Sequence, residues 1–168
     1  MVAGPQPPSR PGTGPHRHGH GPGPGVDDLH ATAAQRLGAA DLRYTTSRRR
    51  VVTVLADAER PLTIPEILAA DPGLAQSSTY RNLAELIGAR VVHRIVSGEE
   101  FSHYELAEDL TAHHHHLVCT RCGRVEDFTP SERLEADLHH SLAQVADAAG
   151  FEVELHRLDL VGTCAGCR

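Results

Sequence analysis

Apolar positions in the first half of the chain recur at helical spacing and are broken by short polar stretches. A helical pattern begins at Val26 and runs through "DDLHATAAQRLGAA". A second, "SRRRVVTVLADAE", puts Val51, Val52, Leu55 and Ala58 on one face and ends before Pro61. "TIPE" announces a short third helix, with Thr63 as N-cap and Glu66 three residues on, the spacing of a capping box. The fourth is "SSTYRNLAELIG", with Ser77 or Ser78 as cap, Leu83, Leu86 and Ile87 on its apolar side and Gly88 at its end. In "ARVVHRIVSGEEFSHYEL" the period changes: two apolar-rich runs flank Ser-Gly-Glu-Glu, which predicts a β-hairpin. Helices followed by a hairpin is the order of a winged helix-turn-helix.

The second half predicts a small α+β unit. "HHHHLVC" and "RVEDF" read as strands. "TPSERLEADLHHSLAQVADAAG" reads as a helix capped by Thr129, with Pro130 at its first position, Glu132 completing a capping box, and Leu134, Leu138, Leu142 and Val145 as a buried stripe. "FEVELHRLDLVG" alternates as a strand does. The expected fold class is therefore α+β, a winged helix followed by a small α/β domain. The expected division is a Pro/Gly/His tail over 1–25, a DNA-binding domain over 26–106 and a metal-binding domain over 107–168. The tail "MVAGPQPPSRPGTGPHRHGHGPGPG" has no apolar period and is expected to be disordered, its His16, His18 and His20 solvated.

Charge sharpens this division. The chain carries a net −6 over 168 residues, but residues 1–100 hold 11 arginines against 10 acidic residues, whereas 101–168 hold 5 against 12. There is no lysine, so every fixed side-chain cation is a guanidinium. A polyanion would meet the first half, with the acidic half turned away. No run of 18 apolar residues spans a membrane, and no apolar leader core precedes the domain, so the cytoplasm is the expected location.

The chemistry lies in "HHHHLVCTRC", residues 113–122. Extended backbone sends successive side chains to opposite faces, so His113 and His115 face one way and His114 and His116 the other. One ion cannot be reached by all four; the run supplies half of each of two sites. Cys119 and Cys122 pair with Cys164 and Cys167, two Cys-x-x-Cys knuckles that complete a tetrahedral four-sulfur site suited to zinc. Protein fills all four positions, so that site is structural. Cysteines so paired in a reducing compartment are ligands rather than disulfides. No open metal position and no thiol with an acid–base partner stands out, so the chain is not read as an enzyme.

Together, "LRYTTSRRRVV", "SSTYRNLAEL", "HYEL", "HHHHLVCTRCGRVEDF", "GFEVELHRLDLVGTC" and the final "CAGC" resemble the ferric uptake regulator family of metal-dependent bacterial repressors, over roughly residues 30–168. The resemblance implies a homodimer that binds palindromic double-stranded operator DNA when a hinge metal site is filled. It implies structural Zn2+ at the four cysteines and a second, regulatory divalent ion, Zn2+ or Fe2+. The hinge site would take His114, His116, Glu105 and His93, with Asp109 as the alternative to Glu105 because two residues are inserted before the histidines. A further site would take His113, His115, His156 and a helix ligand, His139 by alignment or Glu135 one turn away. On the fourth helix Tyr80 would contact bases and Arg81 phosphate, beside Ser78 and Thr79, with Arg48, Arg49 and Arg50 adding phosphate contacts. Peroxide or nickel sensing within the same family is the alternative, and a metal-trafficking or thiol redox protein a more distant one.

Overall fold

A computed structural model describes residues 25–97, 101–153 and 155–168. The expected tail, apart from Gly25, lies outside these residues, as do Gly98, Glu99 and Glu100 of the expected hairpin turn.

The first unit is built from α1 (Val26–Ala39), α2 (Thr46–Ala56), α3 (Ile64–Ala70), α4 (Gln76–Gly88), β1 (Val92–Ser97) and β2 (Phe101–Leu106). The apolar faces converge on one core that includes Leu37, Val51, Val52, Ile67, Leu83, Leu86 and Val91. Each such aliphatic side chain withdrawn from water contributes about 1.5–3 kcal/mol. Capping of α3 follows the sequence: the Glu66 carboxylate accepts from both the backbone N–H and the hydroxyl of Thr63, each at 2.7 Å. That of α4 does not. Its N-cap is Ala75, and Ser78 and Thr79 lie inside the first turn, their hydroxyls donating back to the Ala75 carbonyl at 2.9 and 3.0 Å. Past Gly88 the chain reverses at Arg90, which takes the left-handed φ of 56°. β1 and β2 pair antiparallel, His93 opposite Glu105. Leu62 adds a bridge to Tyr104, which ties the wing to the start of α3.

After a short 3-10 turn at Glu108–Leu110, the second unit comprises β3 (His115–Cys119), β4 (Val125–Phe128), α5 (Glu132–Ala149) and β5 (Asp159–Gly162). The sheet order is β4-β3-β5, with β4 antiparallel and β5 parallel to β3. Three sequence expectations change here. Ser131, not Thr129, caps α5, accepting from the Leu134 N–H at 3.3 Å. The long strand over 151–162 shrinks to β5; among the described residues, 151–158 take no regular secondary structure, with backbone bonds only at the ends of the run, Phe151 to Ala146 and His116 to Leu158.

The third change is the largest. The α5 stripe is not covered: Leu134 is 58% exposed and Val145 67%, and Phe151, Leu155 and Val161 are exposed with them. Among the described residues only a small cluster, Val118 and Val125 with Ile95 from the wing, forms an apolar core here. So few buried side chains do not offset the entropy of ordering some sixty residues. Something other than the unit's own core must stabilise it, and among the described residues three clusters of metal-ligating side chains lie in it or, through Glu105, where it meets the wing.

Candidate metal centres and DNA-reading helix

The first cluster is the four cysteines. The chain turns between β3 and β4 through Gly123, at φ 72°, and the Gly123 N–H donates to the Cys119 carbonyl at 3.0 Å. This brings Cys122 beside Cys119, while β5, running parallel to β3, delivers Cys164 and Cys167 to the same end of the sheet. All four sulfurs lie within 4.8 Å of one another, with Cys122 and Cys164 at 3.8 Å. A zinc ion bound tetrahedrally at about 2.3 Å to sulfur would separate its ligands by about 3.8 Å. Backbone N–H groups of Cys122 and Cys164 aimed at the Cys119 sulfur bring its thiol down to about 6. Hydrogen bonding to Cys164 and Cys122 pushes Cys167 up. Sulfurs so crowded are not all ionised without a cation among them, so the donor set fits zinc.

The second cluster gathers His113, His115, Glu135 and His156. One oxygen of Glu135 lies 3.1 Å from Nε2 of His113 and 3.1 Å from Nε2 of His156, and the other 3.0 Å from Nε2 of His115. Glu135 and His115 are buried. Of the two helix candidates, Glu135, in the first turn of α5, lies in the cluster, and His139, one turn further on at an exposed position, lies outside it. Behind the cluster, Glu108 bonds Nδ1 of His113.

The third cluster joins the two units. Glu105 on β2 points one oxygen at Nε2 of His114, 3.1 Å, and Nε2 of His116, 3.0 Å. Asp127 on β4 lies 3.8 Å from both. Asp159 on β5 takes Nδ1 of His116 at 3.1 Å, and the Ala112 carbonyl takes Nδ1 of His114 at 2.8 Å. Burial pushes the Glu105 carboxyl up, but hydrogen bonds and charge from His114 and His116 outweigh it and hold the group at about 2. The hydrogen bond to Glu105 raises His114 to about 9. Two imidazoles and two carboxylates, with outer nitrogens held by a carboxylate and a carbonyl, form a donor set that fits a borderline divalent cation.

The alternating-face expectation thus matches the grouping, His113 with His115 and His114 with His116. Two expected hinge ligands do not join. Asp109 pairs with Arg36 of α1. His93 lies across the strand pair from Glu105, but Nη1 of Arg157 sits 2.9 and 2.8 Å from its two ring nitrogens. Asp127 was missed in sequence. Its signal was the strand pairing, which sets it directly opposite His116, whereas Glu126 stands opposite Leu117.

On α4, Tyr80 and Arg81 are exposed, with Ser78 partly so. Thr79 is fully buried and Asn82 bonds Ser47 of α2 at 2.7 Å, so Thr79 faces the core rather than a groove. Of the arginine triplet, Arg48 is buried and engages Glu85 and the Arg43 carbonyl. Arg50 holds Asp71 through two nitrogens. Arg49 is exposed and has no carboxylate partner among the ion pairs of the described residues, its guanidinium lying 5.0 Å from the centre of the Tyr44 ring.

A winged helix joined through a shared ligand cluster to a metal-binding α/β unit defines a metal-responsive transcriptional regulator rather than an enzyme. The model of the ferric uptake regulator family matches residues 39–161, and the chain belongs to that family. It is 29% identical over 140 residues to the ferric uptake regulation protein of Bacillus subtilis, covering 79% of this chain and 90% of that one. A peroxide-responsive repressor of Staphylococcus aureus is 27% identical over 136 residues, covering 79% and 86%. Among solved structures, the Vibrio cholerae ferric uptake regulator superposes with a TM-score of 0.58 at 27% identity, covering 77% of this chain and 98% of that one. The Helicobacter pylori regulator, at 19% identity, shares the fold with a TM-score of 0.67, over 88% and 96%.

Proposed function

We propose that this chain is a cytoplasmic homodimeric repressor that binds a palindromic operator when the cluster of Glu105, His114, His116 and Asp127 holds a divalent cation, iron or zinc. The observation that carries this reading is that Glu105 belongs to the wing while its three partners belong to the second unit. Ligands drawn from both sides of a hinge tie its angle to metal occupancy, and in a dimer that angle sets the spacing of the two recognition helices. Residues 26–106 form the DNA-binding domain and 107–168 the dimerisation domain. The four cysteines hold zinc for structure, and the His113 cluster holds a further ion.

The dimer reading rests on the exposed α5 stripe and the apolar side chains of 151–161. Exposed apolar side chains in this number mark a protein contact, and a second copy supplies the missing core. Tyr80 reads bases and Arg81 binds phosphate from the exposed side of α4. A trafficking or thiol redox role finds no support, since the sulfur cluster is closed by protein.

The test is a pair of double variants. Replacing His114 and His116 by Ala abolishes metal-dependent operator binding in gel shifts while the zinc content of the cysteine site stays at one per chain. Replacing His113 and His115 does less. Equal effects from both pairs refute the assignment of the hinge site.

A further inference from the structure

Arg157 adjoins His156 in sequence, yet its guanidinium lies against the other unit: Nη1 is 2.9 and 2.8 Å from the ring nitrogens of His93 on β1. Its Nε is 3.9 Å from Glu108. Glu108 in turn bonds Nδ1 of His113. The side chain therefore spans from the His113 cluster to the wing, and it arrives one strand away from Glu105, which His93 faces in the β1–β2 register.

A guanidinium is always charged, and here it stands about equally close to both ring nitrogens of His93. A metal cation approaching that ring meets this charge. While Arg157 lies against His93, that histidine is the arginine's contact on the wing rather than a ligand. We infer that Arg157 is a positioning residue that couples the two metal sites, with His93 as its receiver on the wing. This rests on the functional reading above.

The coupling follows from what anchors Arg157. Residues 151–158 have no regular secondary structure among those described; backbone bonds hold the run at its two ends, Phe151 to Ala146 and His116 to Leu158, and side chains hold His156 and Arg157 between them. An ion in the His113 cluster fixes His156, and with it the main chain at Arg157. It also fixes His113, whose outer nitrogen orients Glu108, the guanidinium's carboxylate partner. Both anchors of Arg157 are then ordered before it meets His93. Pinning His93 holds β1, and through the ladder β2, where Glu105 must stand for the hinge cluster to close. Ordering done by the first ion need not be repeated for the second, which appears as tighter binding at the hinge. By linkage the effect is reciprocal.

The experiment uses the full chain with its cysteine site filled and titrates the hinge with Co2+, followed by absorption. In the parent chain, Glu135→Ala removes the His113 cluster and weakens Co2+ at the hinge by about fivefold, the lower end of usual coupling between sites. Arg157→Ala weakens it by a similar factor, and adding Glu135→Ala to that variant changes it less than about twofold. Co2+ affinity at the His113 cluster, measured with Glu105→Ala present to remove the hinge, stays within about twofold on adding Arg157→Ala, which a general loss of structure would not allow. His93→Ala, from the other side of the contact, reproduces the Arg157→Ala result and carries the test if that variant fails to fold. The inference is overturned if Glu135→Ala weakens the hinge equally with and without Arg157, or if neither Arg157→Ala nor His93→Ala changes it. A parent chain that takes up no Co2+ at Glu105, His114 and His116 overturns the functional reading itself.

Discussion

Arg48→Ala separates two roles that the arginine triplet could play. Arg48 is 9% exposed, and its guanidinium engages the Glu85 carboxylate on α4 and the Arg43 carbonyl ahead of α2. It ties the helix that carries Tyr80 to its support. Removing one partner of a fully buried pair costs about 3–5 kcal/mol, because the other charge stays behind unpaired. Glu85 keeps 26% of its side-chain exposure, so water relieves part of that penalty. The expected loss is about 2–3 kcal/mol, which in a unit of this size lowers the melting temperature by roughly 10–20 °C. Arg48→Met with Glu85→Leu, which replaces both charges by apolar chains, recovers most of it. The assay is urea unfolding of the zinc-loaded protein followed by helical signal, beside operator affinity across a salt series. Arg81→Ala is the contrast: unchanged unfolding, weaker binding to every sequence, and a salt slope reduced by about one ion. If Arg48→Ala unfolds within about 0.5 kcal/mol of the parent and instead shows that reduced salt slope, Arg48 is a phosphate contact and the structural reasoning is wrong.

Cys119→Ser removes about one zinc per chain and unfolds the second unit, since a domain with so small a core draws its folding energy from the metal; a variant that keeps full zinc and remains dimeric refutes the four-sulfur assignment. Glu66→Gln weakens the α3 cap by about 0.5–2 kcal/mol at neutral pH. Burial pushes the Glu66 carboxyl up, but bonds from Arg60 and Thr63 outweigh it and hold the group at about 2, below its unfolded value of 4.5. Its stabilisation is complete above that unfolded value and is lost as pH falls toward 2. Parent and variant therefore converge in acid in urea titrations, and a gap that persists unchanged to pH 3 counts against the cap.

The sequence carried the winged helix because its signals are local. Helical spacing places Val51, Val52, Leu83 and Leu86, and the change of period at Val91 marks the hairpin. The grouping of the four cysteines was legible because two Cys-x-x-Cys pairs, at the ends of adjacent strands, bring their sulfurs to one point. Burial of the α5 stripe was misread for a physical reason: periodicity tells which side chains share a face, not which molecule covers it. The caps of α4 and α5 were placed on the wrong residues because Ser77, Ser78, Thr129 and Ser131 all cap well, and the choice depends on where the helix axis must start. Glu135 over His139 was equally hidden. Both lie on one helix face, one turn apart, and only where the start of α5 meets His115 of β3 selects between them.

Asp127 shows how far such reasoning extends. Of the two acids in "RVEDF", alternation alone puts one on each face without saying which. Pairing supplies the answer: Val118 stands opposite Val125, so Leu117 meets Glu126 and His116 meets Asp127. Val118 and Val125 are buried against Ile95 of the wing, and shifting the register by one residue would carry Val125 out of that contact. The apolar contact between the units therefore sets the register, and the register sets which carboxylate reaches the hinge. Packing between the domains and the ligand set that joins them are specified by the same four residues of β4.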